Sequence, residues 1–124
     1  MNLVDSSGWL EYFADGKNAK HFAKAIEATH KLIVPSISIL EVFKRIYVQR
    51  GEDSALQAVA LMQQGRIIEL DLALSLRSAK LGVELKLPLA DSVILATART
   101  WNALLWTQDS DFHNIEGVKY FPKN

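Results

Sequence analysis

The chain has 124 residues, 49% of them hydrophobic and 23% charged, with 14 basic residues balancing 14 acidic ones. That is enough for one sizeable core and too little for two, so a single domain over residues 1–124 is expected. The lack of cysteine excludes disulfides, zinc–thiolate centres and thiol catalysis. The N-terminal run Met1-Asn2-Leu3-Val4-Asp5 has neither a basic leader nor a long apolar stretch, which predicts a cytoplasmic protein with no membrane partner. Asn2-Leu3-Val4 reads as a first short strand. Ala19 to Ala28 has helical period with Phe22, Ala23 and Ile26 on one face, and Leu32-Ile33-Val34 is a second strand. Helices are predicted over Ile39 to Val48 and Ala55 to Met62, followed by a strand at Arg66-Ile67-Ile68. Two further helices, Leu72 to Leu85 and Leu89 to Ala98, precede strands at Ala103 to Trp106 and Val118 to Phe121. No repeat or linker interrupts this alternation. It predicts a three-layer α/β/α sandwich around a mainly parallel sheet of four to five strands, with any ligand beyond the carboxyl ends of the strands.

Acidic residues occupy that end. Asp5 closes the first strand, Glu41 lies seven residues beyond the second, Asp109 follows the fourth, and Asp91 sits in the first turn of the helix opened by Leu87-Pro88-Leu89-Ala90. Each has a local reading as well. Asp5 and Asp109 precede serines as N-caps do, Asp91 is a first-turn acid, and Ser38-Ile39-Leu40-Glu41 matches a capping box. Caps need no mutual geometry, however, whereas a parallel sheet gathers these acids in one crevice. Clustered carboxylates repel unless a cation joins them, and oxygen donors suit a hard divalent ion, Mg2+ or Mn2+. Such an ion polarises a phosphoryl oxygen and activates water. If Asp111 joins the four, the rest of the surface is positive by five charges, which answers the objection that a neutral chain is a poor nucleic-acid binder.

Four segments carry a family resemblance. They are Val4-Asp5-Ser6-Ser7, Pro35-Ser36-Ile37-Ser38-Ile39-Leu40-Glu41-Val42, Leu87-Pro88-Leu89-Ala90-Asp91-Ser92, and Thr107-Gln108-Asp109-Ser110-Asp111-Phe112. In this order and spacing the chain resembles PIN-domain ribonucleases, and among them the VapC-like toxins of VapBC toxin–antitoxin systems. The resemblance implies Asp5, Glu41, Asp91 and Asp109 as metal-binding catalytic acids, with Asp111 as an accessory. Ser6 and Thr107, and more weakly Ser7, match positions that hold a ligand or carboxylate through a hydroxyl. It further implies Mg2+- or Mn2+-dependent RNA cleavage, a homodimer and a cognate antitoxin. Asp91 is followed by Ser92 where many relatives have alanine, another small residue.

The remaining features read two ways. Lys44, Arg45, Arg50 and Arg99 suit RNA phosphates or an ordinary solvated helix face. Trp9 and Phe13, four apart, have core spacing, and the apolar stretch Ser54 to Gln64 suits a partner groove or a buried helix. His21, His30 and His113 show no ligand pattern. Two rivals to the ribonuclease reading are a receiver-like phosphoacceptor domain and an inactive PIN-fold binding module. The first needs an acidic pair after the first strand and a lysine after the last, where Asp5 stands alone and no lysine follows Trp106-Thr107 directly.

Overall fold

The computed structural model of the chain describes residues 1–123. Five strands form where short apolar runs were expected: β1 (Asn2–Val4), β2 (Leu32–Pro35), β3 (Arg66–Ile68), β4 (Leu104–Thr107) and β5 (Val118–Tyr120). Six α-helices connect them: α1 (Ser6–Phe13), α2 (Ala19–Ile26), α3 (Ser36–Arg50), α4 (Glu52–Met62), α5 (Leu72–Leu85) and α6 (Leu89–Thr100). The strands make one sheet in the order β3-β2-β1-β4-β5, and every pairing is parallel.

Both faces of this sheet are covered, which is why its strands read as unbroken apolar runs rather than as alternating ones. Val4, Leu32, Val34 and Trp106 pack with α1 to α4 around buried Trp9, Phe22, Val42 and Met62. Their neighbours in sequence, Leu3, Ile33 and Leu105, point the other way and pack with Leu74 of α5 and Ile94, Leu95 and Ala98 of α6. The three-layer α/β/α arrangement follows directly from this two-residue period.

Strand order reverses between β1 and β4. The chain lays β2 and β3 on one side of β1, then returns to place β4 and β5 on the other. Open α/β sheets leave a crevice at such a reversal, beyond the carboxyl ends of the two strands. Asp5 and Asp109 lie just past those ends.

Two helix boundaries matter for the site. α3 starts at Ser36, with Pro35 as its N-cap, three residues before the apolar period begins at Ile39. The α5–α6 hairpin turns through Lys86 in left-handed conformation (φ 57), and α5 crosses α6 so closely that a Cβ on Gly82 would collide with Ser92 Oγ. That approach buries α6 continuously from Ser92 to Ala98 and fixes Asp91 at its first turn. Among the described residues, no helix is long and apolar enough to cross a membrane.

Candidate metal centre

Asp5 is an N-cap, as its local sequence suggests, and also more than that. Its Oδ1 accepts from the Gly8 N–H at 2.9 Å and from Ser7 Oγ at 2.7 Å, while Oδ2 accepts from Thr107 Oγ1 at 2.6 Å. Thr107 Oγ1 in turn accepts from the Asp109 N–H at 2.9 Å, so one hydroxyl ties the ends of β1 and β4 together. Asp5 is 2% exposed. Burial pushes its carboxyl up to about 6; the three donors pull the other way, and the charge of Asp109 adds to the rise.

Asp91, Asp109 and Asp111 form a tighter group. Each offers an oxygen, and the three oxygens lie within 4.8 Å of one another. Asp109 caps a short 3-10 turn, Ser110–Phe112, by accepting from the Asp111 N–H at 2.9 Å, and the fully buried Phe112 anchors that turn. Asp91 projects toward them from α6. Its Oδ2 is buried and has no hydrogen-bond donor among the described residues. Burial, the Asp109 charge and the Asp111 carboxyl within hydrogen-bonding reach push Asp91 up to about 7. Two carboxyl groups meet this way only by sharing a proton or a cation.

Glu41 departs from the capping-box expectation. Ser38 is not an N-cap but the third residue of α3, fully buried, its hydroxyl without a partner. Glu41 lies in the second turn and accepts from Ser6 Oγ at 2.5 Å, 35 residues away in sequence. A helix that starts three residues earlier than its apolar period removes the box. Glu41 thus joins the site through Ser6, beside Asp5, and outside the tight group of three.

The structure therefore brings Asp5, Asp91 and Asp109 into electrostatic contact, sets Asp111 against Asp91, and links Glu41 through Ser6. The donor set is oxygen throughout. Three like charges and one orphaned buried acceptor fit a hard divalent cation, which supplies what no side chain here does. Among the described residues no histidine joins the cluster: His21 stacks on Phe121 at 4.6 Å, and the His113 ring lies tilted against Tyr120 at 4.9 Å. Asp71, the acid following β3, caps α5 through the Leu74 N–H and sits among Arg66, Glu69 and Trp101, apart from the cluster.

Ser7 and Asn18 matter more than their sequence signal suggests. Ser7 Oγ donates to Asp5 and accepts from the Gln108 N–H at 3.4 Å. Buried Asn18 donates through Nδ2 to Gln108 Oε1 and to the Pro122 carbonyl, both at 3.0 Å. In Asp15-Gly16-Lys17-Asn18 it looks like any turn residue. Trp9 is packed, as its spacing predicts: it is fully buried and stacked on Phe13, with ring centroids 5.7 Å apart. Of the flagged cations, Arg45 and Arg50 line a cavity beside the site, whereas Lys44 and Arg99 do not. The apolar stretch around α4 divides: Ala55, Ala58 and Met62 are buried, Leu56 and Leu61 exposed.

Comparison with known proteins agrees with this geometry. No curated protein sequence matches the chain. Among solved structures, a toxin–antitoxin complex from Klebsiella pneumoniae contains a chain 27% identical, with TM-score 0.82 over 98% of this chain and 99% of that one. VapC20 of Mycobacterium tuberculosis, described as a sarcin–ricin loop cleaving toxin, is 16% identical with TM-score 0.72, covering 90% and 92% of the two chains. A chain of DNA-bound VapBC from Salmonella typhimurium, 13% identical, superposes over the full length of both with TM-score 0.75. The PIN domain profile matches residues 3–118, and with the parallel five-stranded sheet and the acids at its strand reversal it establishes that the chain belongs to the PIN domain family.

Proposed function

We propose that this chain is a Mg2+- or Mn2+-dependent endoribonuclease, one PIN domain over residues 1–124, and the toxin of a cytoplasmic toxin–antitoxin pair. The observation that carries the reading is the buried, donorless Oδ2 of Asp91 inside a three-carboxylate cluster at the strand reversal. A divalent ion bound there supplies Lewis-acid polarisation of a phosphoryl oxygen and lowers the pKa of water. Asp91, Asp109 and Asp111 are the residues that would hold it, with Asp5 closing the site from the protein interior.

The chain's own residues have separate tasks. Thr107, Ser7 and the Gly8 N–H keep Asp5 in one rotamer, and Thr107 also holds the Asp109 backbone in register with it. Glu41, gripped by Ser6 through Oε1, has Oε2 free to orient the attacking water and take its proton. Attack in line on phosphorus then breaks the bond to the leaving ribose oxygen.

An antitoxin partner is supported by the Klebsiella relative, which was solved as a toxin–antitoxin complex. A homodimer is supported by α5. Its face opposite the core carries Leu72, Leu76, Ala79 and Val83 at helical spacing, and the three large ones are 76%, 58% and 81% exposed. A solvent-facing apolar stripe of this length fits a second copy of itself.

The test is expression of the wild type, Asp91→Asn and Asp5→Asn in a bacterial host, with growth and RNA ends followed, beside manganese titration of the purified proteins. Growth arrest with discrete new RNA ends for the wild type, absent in both variants, is expected. Intact cleavage in Asp91→Asn overturns the assignment. Failure of the wild type to bind manganese favours a binding module without activity.

A further inference from the structure

We propose that Asn18, on the loop between α1 and α2, is a positioning residue of the metal centre: its side chain pins the Thr107–Asp109 segment against Asp5 and ties the C-terminal residues to it. The proposal rests on the metal-ion reading of the acidic cluster. Asn18 is 5% exposed and its partner Gln108 8%. Asn18 Nδ2 donates to Gln108 Oε1 and to the Pro122 carbonyl, both at 3.0 Å. A carbonyl oxygen only accepts, so the Pro122 contact fixes which end of the Asn18 amide points here, and that in turn fixes the Gln108 amide.

Gln108 stands between the two residues whose register matters. On one side Thr107 Oγ1 donates to Asp5 Oδ2 and accepts from the Asp109 N–H; on the other, Asp109 supplies an oxygen to the group of three. The Gln108 N–H reaches Ser7 Oγ at 3.4 Å, and Ser7 donates to Asp5 Oδ1. The Phe121 N–H, just past β5, donates to the Thr107 carbonyl at 2.8 Å. Gln108 is thus held at its backbone by Ser7 and at the tip of its side chain by Asn18. Without the second hold a rotamer-rich side chain regains its freedom, and the long contact to Ser7 alone keeps the backbone before Asp109 in place.

The structure around Asn18 serves this contact and not the helix it precedes. An asparagine at the N-cap ordinarily accepts from a first-turn N–H. At the head of α2 Asn18 makes no such bond, and its backbone (φ -96, ψ 5) lies outside the extended region of a capping residue. Glu11 holds that backbone instead. Its Oε2 accepts from the Asn18 N–H at 2.8 Å, and the loop runs so close over its carboxylate that a Cβ on Gly16 would collide with it. Asp15 enters the loop in left-handed conformation (φ 53), which is unfavourable for a residue other than glycine. The loop forgoes a helix cap and accepts a left-handed turn, and one amide points at Gln108.

The test uses the full chain, with manganese alone as the probe. Asn18→Ala and Gln108→Met, the second keeping length and apolar volume without Oε1, are each expected to weaken manganese affinity about 3- to 10-fold in calorimetric titration, less than loss of a group that touches a metal-binding acid. The double variant should lose no more than either single one, because both cut one path. Ile26→Val, which thins the buried face of α2, should lower the melting temperature comparably and leave manganese affinity at the wild-type value. The zero-field splitting of bound manganese in electron paramagnetic resonance should change in Asn18→Ala and not in Ile26→Val. In the metal-free chain, the Gly8 and Asp109 amide resonances should move in Asn18→Ala, since both amides bond groups that this path holds. If Asn18→Ala does not fold, Gln108→Met carries the same readings.

Wild-type manganese affinity and splitting in Asn18→Ala, with melting lowered as in Ile26→Val, would make Asn18 a brace of the fold and overturn the proposal. Additive losses in the double variant overturn it as well. If the wild type binds no manganese, the metal reading fails by itself, and the Gly8 and Asp109 amides decide the rest: unmoved, they overturn the positioning role, and moved, they uphold the grip on Asp5 and Asp109.

Discussion

Asp5 and Asp91 are both carboxylates pushed up by burial, to about 6 and about 7, but they are buried in opposite ways. Asp5 is surrounded by donors from Ser7, Gly8 and Thr107, which offset part of the cost of burying its charge and leave neither oxygen without a partner. Asp91 meets other carboxylates and has an oxygen with no donor among the described residues. The first arrangement is complete without a ligand, and the second is not. A cluster of acids is therefore less informative than the question of which of its oxygens the protein has left without a partner.

The largest effect should separate the two directly. Asp91→Asn should abolish manganese binding and reduce RNA cleavage by roughly three orders of magnitude or more, measured by calorimetric titration and single-turnover cleavage. The same change removes an unsupported buried charge, so the metal-free variant should melt a few degrees above the wild type. A lower melting temperature would show that Asp91 is internally satisfied after all, and the contrast would collapse. Next comes Thr107→Val, which leaves Asp5 Oδ2 and the Asp109 N–H without their shared partner. We expect a loss of about 1–3 kcal/mol in denaturant unfolding, with manganese affinity down about 10- to 100-fold.

Acidity gives a third handle. Both groups ordinarily titrate near 3.8 in an unfolded chain, below their folded values of about 6 and about 7. Between about pH 4 and pH 7 the folded state thus holds protons that the unfolded state has released, so stability falls as pH rises through that window. Metal-free melting temperature should drop from pH 5 to pH 8, and saturating manganese should reverse the trend. A metal-free protein more stable at pH 8 would contradict both shifts. Ser6→Ala is smaller: it frees Glu41 without touching the three aspartates, so cleavage should fall about tenfold at unchanged manganese affinity. Smallest for the metal centre is Leu76→Glu, away from it on the exposed stripe of α5, which should shift a dimer to monomer by light scattering and leave metal binding alone.

Local pattern made much of this legible, and distance made the rest illegible. The central strands β1, β2 and β4 were visible because both-face burial writes them as short apolar runs, and the edge strands β3 and β5 because β-branched and aromatic residues mark them even where they are partly exposed. α1 was not, since eight residues span only two turns and Trp9, Leu10, Tyr12 and Phe13 leave no clean period. The string Ser38 to Glu41 is identical in a capping box and in the interior of a helix, and only the position of Pro35 distinguishes them. Asp5, Asp91 and Asp109 stood out by their place after strands or at a helix start. The difference between Asp5 and Asp91 did not, because the partners that create it come from β4 and from the turn after it, far along the chain.

That distance has a consequence for how the protein is made. The bond from Thr107 to Asp5 spans 102 residues, and the clasp from Asn18 to Pro122 spans 104. β1 lies at the centre of the sheet and receives its second neighbour only when β4, some hundred residues later, is in place. Without β4, Asp5 keeps its local donors Ser7 and Gly8 but lacks Thr107, the partner that ties it to Asp109. A chain interrupted before residue 104 has three strands of the sheet but no centre, so the chemistry becomes possible only once β4 and the turn after it are in place.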